Sequence, residues 1–290
     1  MLAAGFGTRL RPLTDALPKP LAPIDGRPVL TRLLGQLDAL ELDAVAMNLH
    51  YGADLIERVV GPGPVYLREQ WLRGTAGALV GAADFLCAGE HFLVASSDGV
   101  HDIDMAALMR RHRESGAAAT ITVKHVARPE SLAIVELDDR GFVTRFVEKP
   151  DPAEVFGDLA SIGVYCFSAS VLELIPSDRS FDIAAELIPA LLANAMPVAA
   201  YATDAWWEDI GSPEQLLAAN LRFDRVAEPS EIAPDARLEA PVMVGPHSFV
   251  GPGARVARSL VLPGASVPAG ARLEDAIAGT GDDVLRAWSR

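Results

Sequence analysis

Leu2-Ala3-Ala4-Gly5-Phe6-Gly7-Thr8-Arg9-Leu10, continued by Pro12-Leu13-Thr14 and Pro18-Lys19-Pro20, is the stretch on which the reading of this 290-residue chain turns. Gly5 and Gly7 permit a backbone turn that exposes amide hydrogens, and a glycine-rich turn after a strand is a natural cradle for phosphate oxygens. The pattern is not a dinucleotide fingerprint, because Leu10 stands where a third glycine would be, and it is not a P-loop, because no Gly-Lys-Ser/Thr closes it. Two cations mark it instead. Arg9 lies inside the turn, and Lys19 follows ten residues on, where flanking prolines limit the path of the chain and so the reach of the ammonium. Taken alone, the stretch says that a triphosphate is bound.

Outward from this turn, Leu30, Leu33, Leu34, Leu37 and Leu40 recur at helical spacing, and residues 44–49 read as a short buried strand. The alternation continues with a helix over 53–60, an extended piece over 65–67, a helix over 76–86 and an apolar run over 91–95 stopped by Ser96-Ser97-Asp98-Gly99. A helix over 105–114 and a strand over 119–126 extend it. Strands alternating with helices predict a mainly parallel sheet covered on both faces, with ligands beyond the carboxyl ends of its strands. After Val126 strands crowd together at 133–137, 143–147 and 162–167, and helices return over 181–194 and 214–226. The expectation is a Rossmann-like α/β domain with a mixed, mainly parallel sheet over residues 1–226.

From residue 227 to 279 the sequence repeats with period six. Aliphatics fall at Ile232, Leu238, Val244, Val250 and Val256 and, after a one-residue deletion, at Val261, Val267 and Leu273. Glycine and proline fill the corners. This rhythm predicts a short parallel β-helix of somewhat under three coils, each aliphatic stacking inside a triangular turn. Residues 280–290 are expected to add a short helix in which Val284, Leu285 and Trp288 cap the open end.

The formal net charge of −14 argues against nucleic acid or an anionic membrane as partner. No apolar run approaches the roughly 20 residues that cross a bilayer, and the start lacks the pattern of a signal peptide, so the expected compartment is the cytoplasm. Cys87 and Cys166 lie far apart among apolar neighbours and read as buried free thiols. Of the 25 basic residues only Lys19, Lys124 and Lys149 are lysines, so each invites a reason, such as a compact charge on phosphate.

The opening stretch resembles the signature of the sugar-1-phosphate nucleotidylyltransferases, and further landmarks occur in that family's order: Gly74-Thr75-Ala76-Gly77, Ser97-Asp98-Gly99, Glu148-Lys149-Pro150, Trp207-Glu208-Asp209-Ile210-Gly211 and the hexapeptide tail, here taken as a left-handed coil. The resemblance implies that a sugar-1-phosphate oxygen attacks the α-phosphorus of a nucleoside triphosphate and pyrophosphate leaves. It puts Arg9 on the departing phosphates, Lys19 on the triphosphate near the reacting phosphorus and Lys149 on the sugar phosphate. Leu2, Ala3, Ala4, Gly5, Gly7 and Thr8 complete the triphosphate cradle, and Gly74 and Thr75 approach the nucleobase or ribose. Asp98 and Asp209 form a hard-oxygen pair suited to Mg²⁺.

Glu69 offers a carboxylate that matches the adjacent N–H donors of guanine. Glu148 offers one to sugar hydroxyls, Ala133 stands where the family often has a glycine approaching the sugar, and Ser161-Ile162 replaces a frequent Asn-Ala. Trp206 and Trp207 read as packing, and His247 as a surface corner. The family usually has several apolar residues before its opening turn, whereas only Met1 precedes Leu2 here. Either the true start lies upstream or the first central strand is very short. The substrates expected are GTP with mannose-1-phosphate, with glucose-1-phosphate and dTTP or UTP as the alternative; a non-catalytic nucleotide-sugar-binding subunit of the same fold is the reading from another class. The coil suggests a homo-oligomer rather than an acyltransferase.

Overall fold

The computed structural model describes residues 1–279, and the tail expected to cap the coil lies outside the described residues. Strand β1 (Ala46–Leu49) runs parallel to β2 (Val65–Arg68), and β3 (His91–Ala95) lies on the other side of the chain start. Leu2 alone fills the place between them. It forms parallel bridges to Asn48 and Ser96, its N–H donates to Ala95 O, and its carbonyl accepts from Ser97 N. The short first strand is thus a single rung. Before that rung β1 and β3 part around a cavity of about 700 Å³ walled by Val45, Leu79, Phe85, Phe92 and Leu93.

The main sheet is mixed, in the order β9 (Val198–Ala202), β5 (Ala119–His125), β8 (Leu159–Ser168), β6 (Ala133–Leu137) and β7 (Val143–Glu148), with β3 also on β8. Only β9 and β5 are parallel within it, and the ten-residue β8 is antiparallel to β3, β5 and β6. Gly163, at φ +80, lets β8 serve both sides. Its register shifts between Ser161 and Tyr165, so residues before the bulge pair with β6 and residues after it with β3. A short antiparallel pair, β4 (Gly99–His101) with β10 (Trp207–Asp209), stands at the edge.

Helix α1 (Val29–Asp38) buries Val29, Leu30, Leu33 and Leu37; of the stripe read from the sequence, Leu34 is half-buried and Leu40 lies beyond the helix end. Elsewhere boundaries shift for identifiable reasons. The helix expected over 76–86 is α2 (Gly74–Gly81), broken at Ala82 from a single turn Ala83–Leu86. Cys87 ends that turn on the surface and is exposed, contrary to the expectation; Cys166, inside β8, is buried, and burial pushes its thiol up to about 12. The helix expected over 181–194 opens with a wide turn, Ile183–Leu187, before α3 (Ile188–Ala193). Pro189 has no N–H to donate back to Ala185 and its ring crowds that carbonyl, so the chain widens there. Helix α4 (Pro213–Leu221) ends five residues earlier than expected, and Arg225–Val226 is already a rung of the coil.

The coil follows its repeat closely. Three parallel stacks form: Arg225–Val226, Met243–Val244, Leu260–Val261 and Ile277–Ala278; Glu231–Ile232, Phe249–Val250 and Ser266–Val267; Arg237–Glu239, Arg255–Ala257 and Arg272–Glu274. Val244, Val250, Val256, Val261 and Val267 are fully buried, and Ile232 and Leu238 partly so. Val226 and Ile277 add rungs that the sequence reading left out. The coil's core is continuous with Leu10, Ala22, Ile24, Val100, Ile210 and Leu216 of the α/β part. Arg225 pairs with Asp25 across the join at 2.6 Å. Among the described residues no helix is long and apolar enough to cross a membrane.

Candidate active site

Two cavities meet above the carboxyl ends of β1 and β3. One, of about 240 Å³, is walled by the opening turn, Lys19, Glu69 and Gly74; the other, of about 270 Å³, by Ala133, Glu148, Lys149, Trp207 and Asp209. Leu2, Thr75, Ser96, Asp98 and Asp182 belong to both and form the seam.

The opening turn is built around Lys19. Gly7 adopts φ +62, its carbonyl accepts from Thr14 Oγ1 at 2.8 Å, and a Cβ there would lie 2.8 Å from Lys19 Cβ. The missing side chain therefore admits the lysine stem, which is buried, to the seam. Its Nζ reaches Asp98 Oδ2 at 3.8 Å and Asp209 Oδ1 at 3.6 Å. The carboxylates are far apart in sequence but neighbours in space because Gly99 pairs with Asp209 in the β4–β10 ladder and Ile210 N donates to Asp98 O. Ser96 Oγ donates to Asp98 Oδ1, and Gln215 Nε2 to Asp209 Oδ2 at 3.5 Å. Burial, then the charge of Asp209, raises the pKa of Glu208 on the same strand.

No group of three metal-ligating side chains occurs among the described residues. The pair Asp98 and Asp209 nevertheless fits Mg²⁺, an ion commonly held by one or two carboxylates together with substrate phosphates and water. Arg9 lies beside this pair rather than in the turn-side cavity. A Cβ on Gly211 would stand 2.8 Å from Arg9 Nη2 and 2.9 Å from Asp209 Oδ2, so glycine there makes room for both.

On the turn side, Ala3 N donates to Asn48 Oδ1 at 2.9 Å, Asn48 Nδ2 to Glu69 Oε1 at 2.8 Å, and Arg73 N to Glu69 Oε2 at 3.3 Å. Glu69 is thereby a fixed carboxylate rather than a loose strand end. A Cβ on Gly5 would meet nothing within 4 Å, leaving its backbone open to a ligand; Ala3 and Ala4 are buried and Thr8 is exposed. Gly74 is different. At φ +78 a Cβ would strike Phe181 O at 2.5 Å, so its glycine answers to internal packing, whatever ligand approaches it. Ala76 N and Gly77 N donate to that same carbonyl.

Thr75 Oγ1 donates to Asp182 Oδ2 at 2.7 Å and accepts from Ile183 N at 2.8 Å, clasping α2 to the segment at 180–186. On the far side, Lys149 stands at the end of β7 with φ +43, its N–H on Leu132 O and its Nζ 3.2 Å from Glu148 Oε1. Ala133 is buried in that wall. Trp206 packs on Phe223 as expected, whereas Trp207 lines the cavity; His247 is an exposed corner at φ +61. Lys124 takes no part in either cavity wall. Sequence reasoning missed Asn48, His101, Tyr165 and Asp182, whereas Ser161-Ile162 was marked as replacing a frequent Asn-Ala of the family. The signal for Asp182 was present, an aspartate opening a helix, but it reads as a cap, which it also is, accepting from Ala184 N and Ala185 N.

A glycine turn thus packs a lysine between two carboxylates where two cavities meet, an arrangement able to hold phosphate groups on both sides. The chain belongs to the nucleotidyl transferase family, whose description matches residues 1–225. It is 30% identical over 297 residues to a mannose-1-phosphate guanylyltransferase of Mycobacterium tuberculosis, covering 94% of this chain and 82% of the relative. It is 29% identical to a UTP–glucose-1-phosphate uridylyltransferase of Synechocystis, covering 95% and 85%. Among solved structures, one assigned as a glucose-1-phosphate thymidylyltransferase of Bacillus anthracis, in complex with a sucrose, superposes with a TM-score of 0.68 at 22% identity, covering 78% of this chain and 94% of that one. That last likeness is one of fold. The chain is thus an enzyme of the sugar-1-phosphate nucleotidyltransferase class.

Proposed function

We propose that this enzyme transfers a guanylyl group from GTP to mannose-1-phosphate with Mg²⁺ bound at Asp98 and Asp209. The observation that carries the reading is the position of the Lys19 ammonium, within 4 Å of both carboxylates at the seam of two cavities. A nucleoside in the turn-side cavity would put the α-phosphate of its triphosphate at that seam, with the outer phosphates toward Arg9, and a sugar phosphate in the other cavity would approach it from across. The amides around Gly5 and Gly7 hold phosphate oxygens, Lys19 neutralises the reacting phosphate, Arg9 the departing ones and Lys149 the sugar phosphate. Such chemistry asks for positioning and neutralisation rather than covalent help. The metal, when bound, screens the triphosphate's charge from the incoming phosphate.

Glu69 supports guanine. Asn48 and Arg73 hold its carboxylate at the turn-side cavity, where it can accept from adjacent N–H groups of a base edge. Glu148 serves sugar hydroxyls beside Ala133. The uridylyltransferase relative keeps glucose-1-phosphate with UTP as the second reading. Assembly into a homo-oligomer through the coil belongs to the same proposal, and sedimentation of the full chain checks it.

The test is pyrophosphate release across a panel of nucleoside triphosphates and hexose-1-phosphates, with and without Mg²⁺. Fastest turnover is expected with GTP and mannose-1-phosphate, and its loss in Asp98→Asn. A preference for UTP or dTTP with glucose-1-phosphate moves the assignment to the second reading.

A further inference from the structure

The sugar-side cavity contains a buried polar atom that no group among the described residues satisfies. His101 is 3% exposed and lines the cavity, its Nε2 without a hydrogen-bond partner among the described residues; Ser161, 5% exposed on the same wall, has the Tyr165 hydroxyl beside it. A buried unpaired donor costs stability unless something external pairs with it, so such atoms mark where a ligand or water belongs.

His101 is informative because its proton can be placed. Ile103 N donates to His101 Nδ1 at 3.4 Å, which makes Nδ1 the acceptor and puts the ring hydrogen on Nε2. Burial lowers the imidazole pKa to about 4, outweighing the charge of neighbouring Asp102, so the ring is neutral at ordinary pH. Its orientation follows from β4. Val100 turns into the core shared with the coil, and by strand alternation Gly99 and His101 face the other way, toward the wall that Trp207 completes. What faces that wall is then a single uncharged N–H donor among apolar Ile162 and Val164.

We propose, building on the sugar-phosphate reading of this cavity, that His101 is a specificity-determining residue whose Nε2–H donates to a hydroxyl oxygen of the bound sugar. A neutral donor does not compete with Lys149 for the phosphate; it rewards a hydroxyl-rich ring placed deep in the cavity. Sites built to pair with a substrate hydroxyl reject analogues that lack it, because the protein's own polar atom is then left buried and unpaired.

The experiment is a protein–ligand cycle. Using the hexose-1-phosphate that the wild type turns over, kcat/KM is measured for it and for each monodeoxy analogue, with wild type, His101→Leu and His101→Asn. One deoxy position is expected to cost the wild type about tenfold or more. His101→Leu should lose a similar factor with the parent sugar but nothing further with that one analogue. His101→Asn, which keeps an N–H donor, should recover part of the loss, and KM for the nucleoside triphosphate should stay at the wild-type value in both variants. Losses that multiply at every deoxy position, or a raised KM for the triphosphate, overturn the assignment and leave His101 as a support for the β4–β10 ladder. Absence of turnover by the wild type with every hexose-1-phosphate strikes the functional reading itself, and this one with it.

Discussion

Glycines in the coil and glycines at the site are needed for the same reason and from opposite distances. In the coil, a Cβ on Gly245 would meet Pro263 N at 2.6 Å and one on Gly251 would meet Ala269 N at 2.8 Å. Each obstacle lies one coil further along the chain. At the site, Gly74 is held by Phe181 O, and Gly211 by Arg9 Nη2. Those obstacles come from other parts of the chain altogether. A repeat tells the reader what presses on each residue; a site assembled from distant loops does not.

Four substitutions and one change of pH would break or sharpen this contrast. The largest effect is expected from Lys19→Met, which removes the ammonium between Asp98 and Asp209 and should lower kcat by about a thousandfold. Thermal melting of the same variant checks that the fold survives. Gly74→Ala combines a left-handed backbone with a 2.5 Å clash on backbone and should cost on the order of 2–3 kcal/mol of stability, read by urea unfolding, together with activity. Gly211→Ala meets only side-chain ends apart from its own turn, so it should lower kcat while leaving the unfolding midpoint near wild type. In the coil, Val256→Ala empties a fully buried position and should cost about 2 kcal/mol, with kcat of the folded protein unchanged.

The smallest effect is one of pH. His101 and His112 are buried, and desolvation lowers each imidazole to about 4 from an ordinary 6.5; at His112 the neighbouring His91 and Arg113 add to it. The folded state therefore binds fewer protons than the unfolded chain between these values. The contribution of these two histidines to stability should be at its plateau above pH 6.5 and fall as pH drops toward 4. His112→Gln should flatten part of that slope in unfolding curves taken across the window, whereas a variant in the coil should not.

How much of this was legible follows from the same contrast. Period-six aliphatics named the buried rungs because one residue class recurs at one spacing, and only the end rungs at Val226 and Ile277 were missed. Arg9, Lys19, Asp98, Lys149 and Asp209 were nominated from motifs, and the structure gathers them about two abutting cavities. What the sequence could not show was which cavity each would face. Arg9 lies beside Asp209 because Gly211 leaves space there, and a loop's final direction depends on what fills the gaps around it. His101 carries no local signal, since an unpaired atom is a property of surroundings drawn from several elements. The wide turn before Pro189 and the bulge at Gly163 shifted boundaries for local reasons that a periodicity count passes over.

The core that runs unbroken from Leu10 and Ile24 into the valines of the coil has a thermodynamic corollary. Whatever immobilises the segment between Arg9 and Lys19 also stiffens the platform on which the first rungs rest. Binding and folding are reciprocally linked, so a saturating triphosphate should slow amide exchange in the coil, far from any phosphate. Conversely, loosened rungs should surface as weaker nucleotide affinity. Were both effects measured, the repeat would act as ballast for the opening turn, and its valines would belong in any account of how tightly that turn holds a nucleotide.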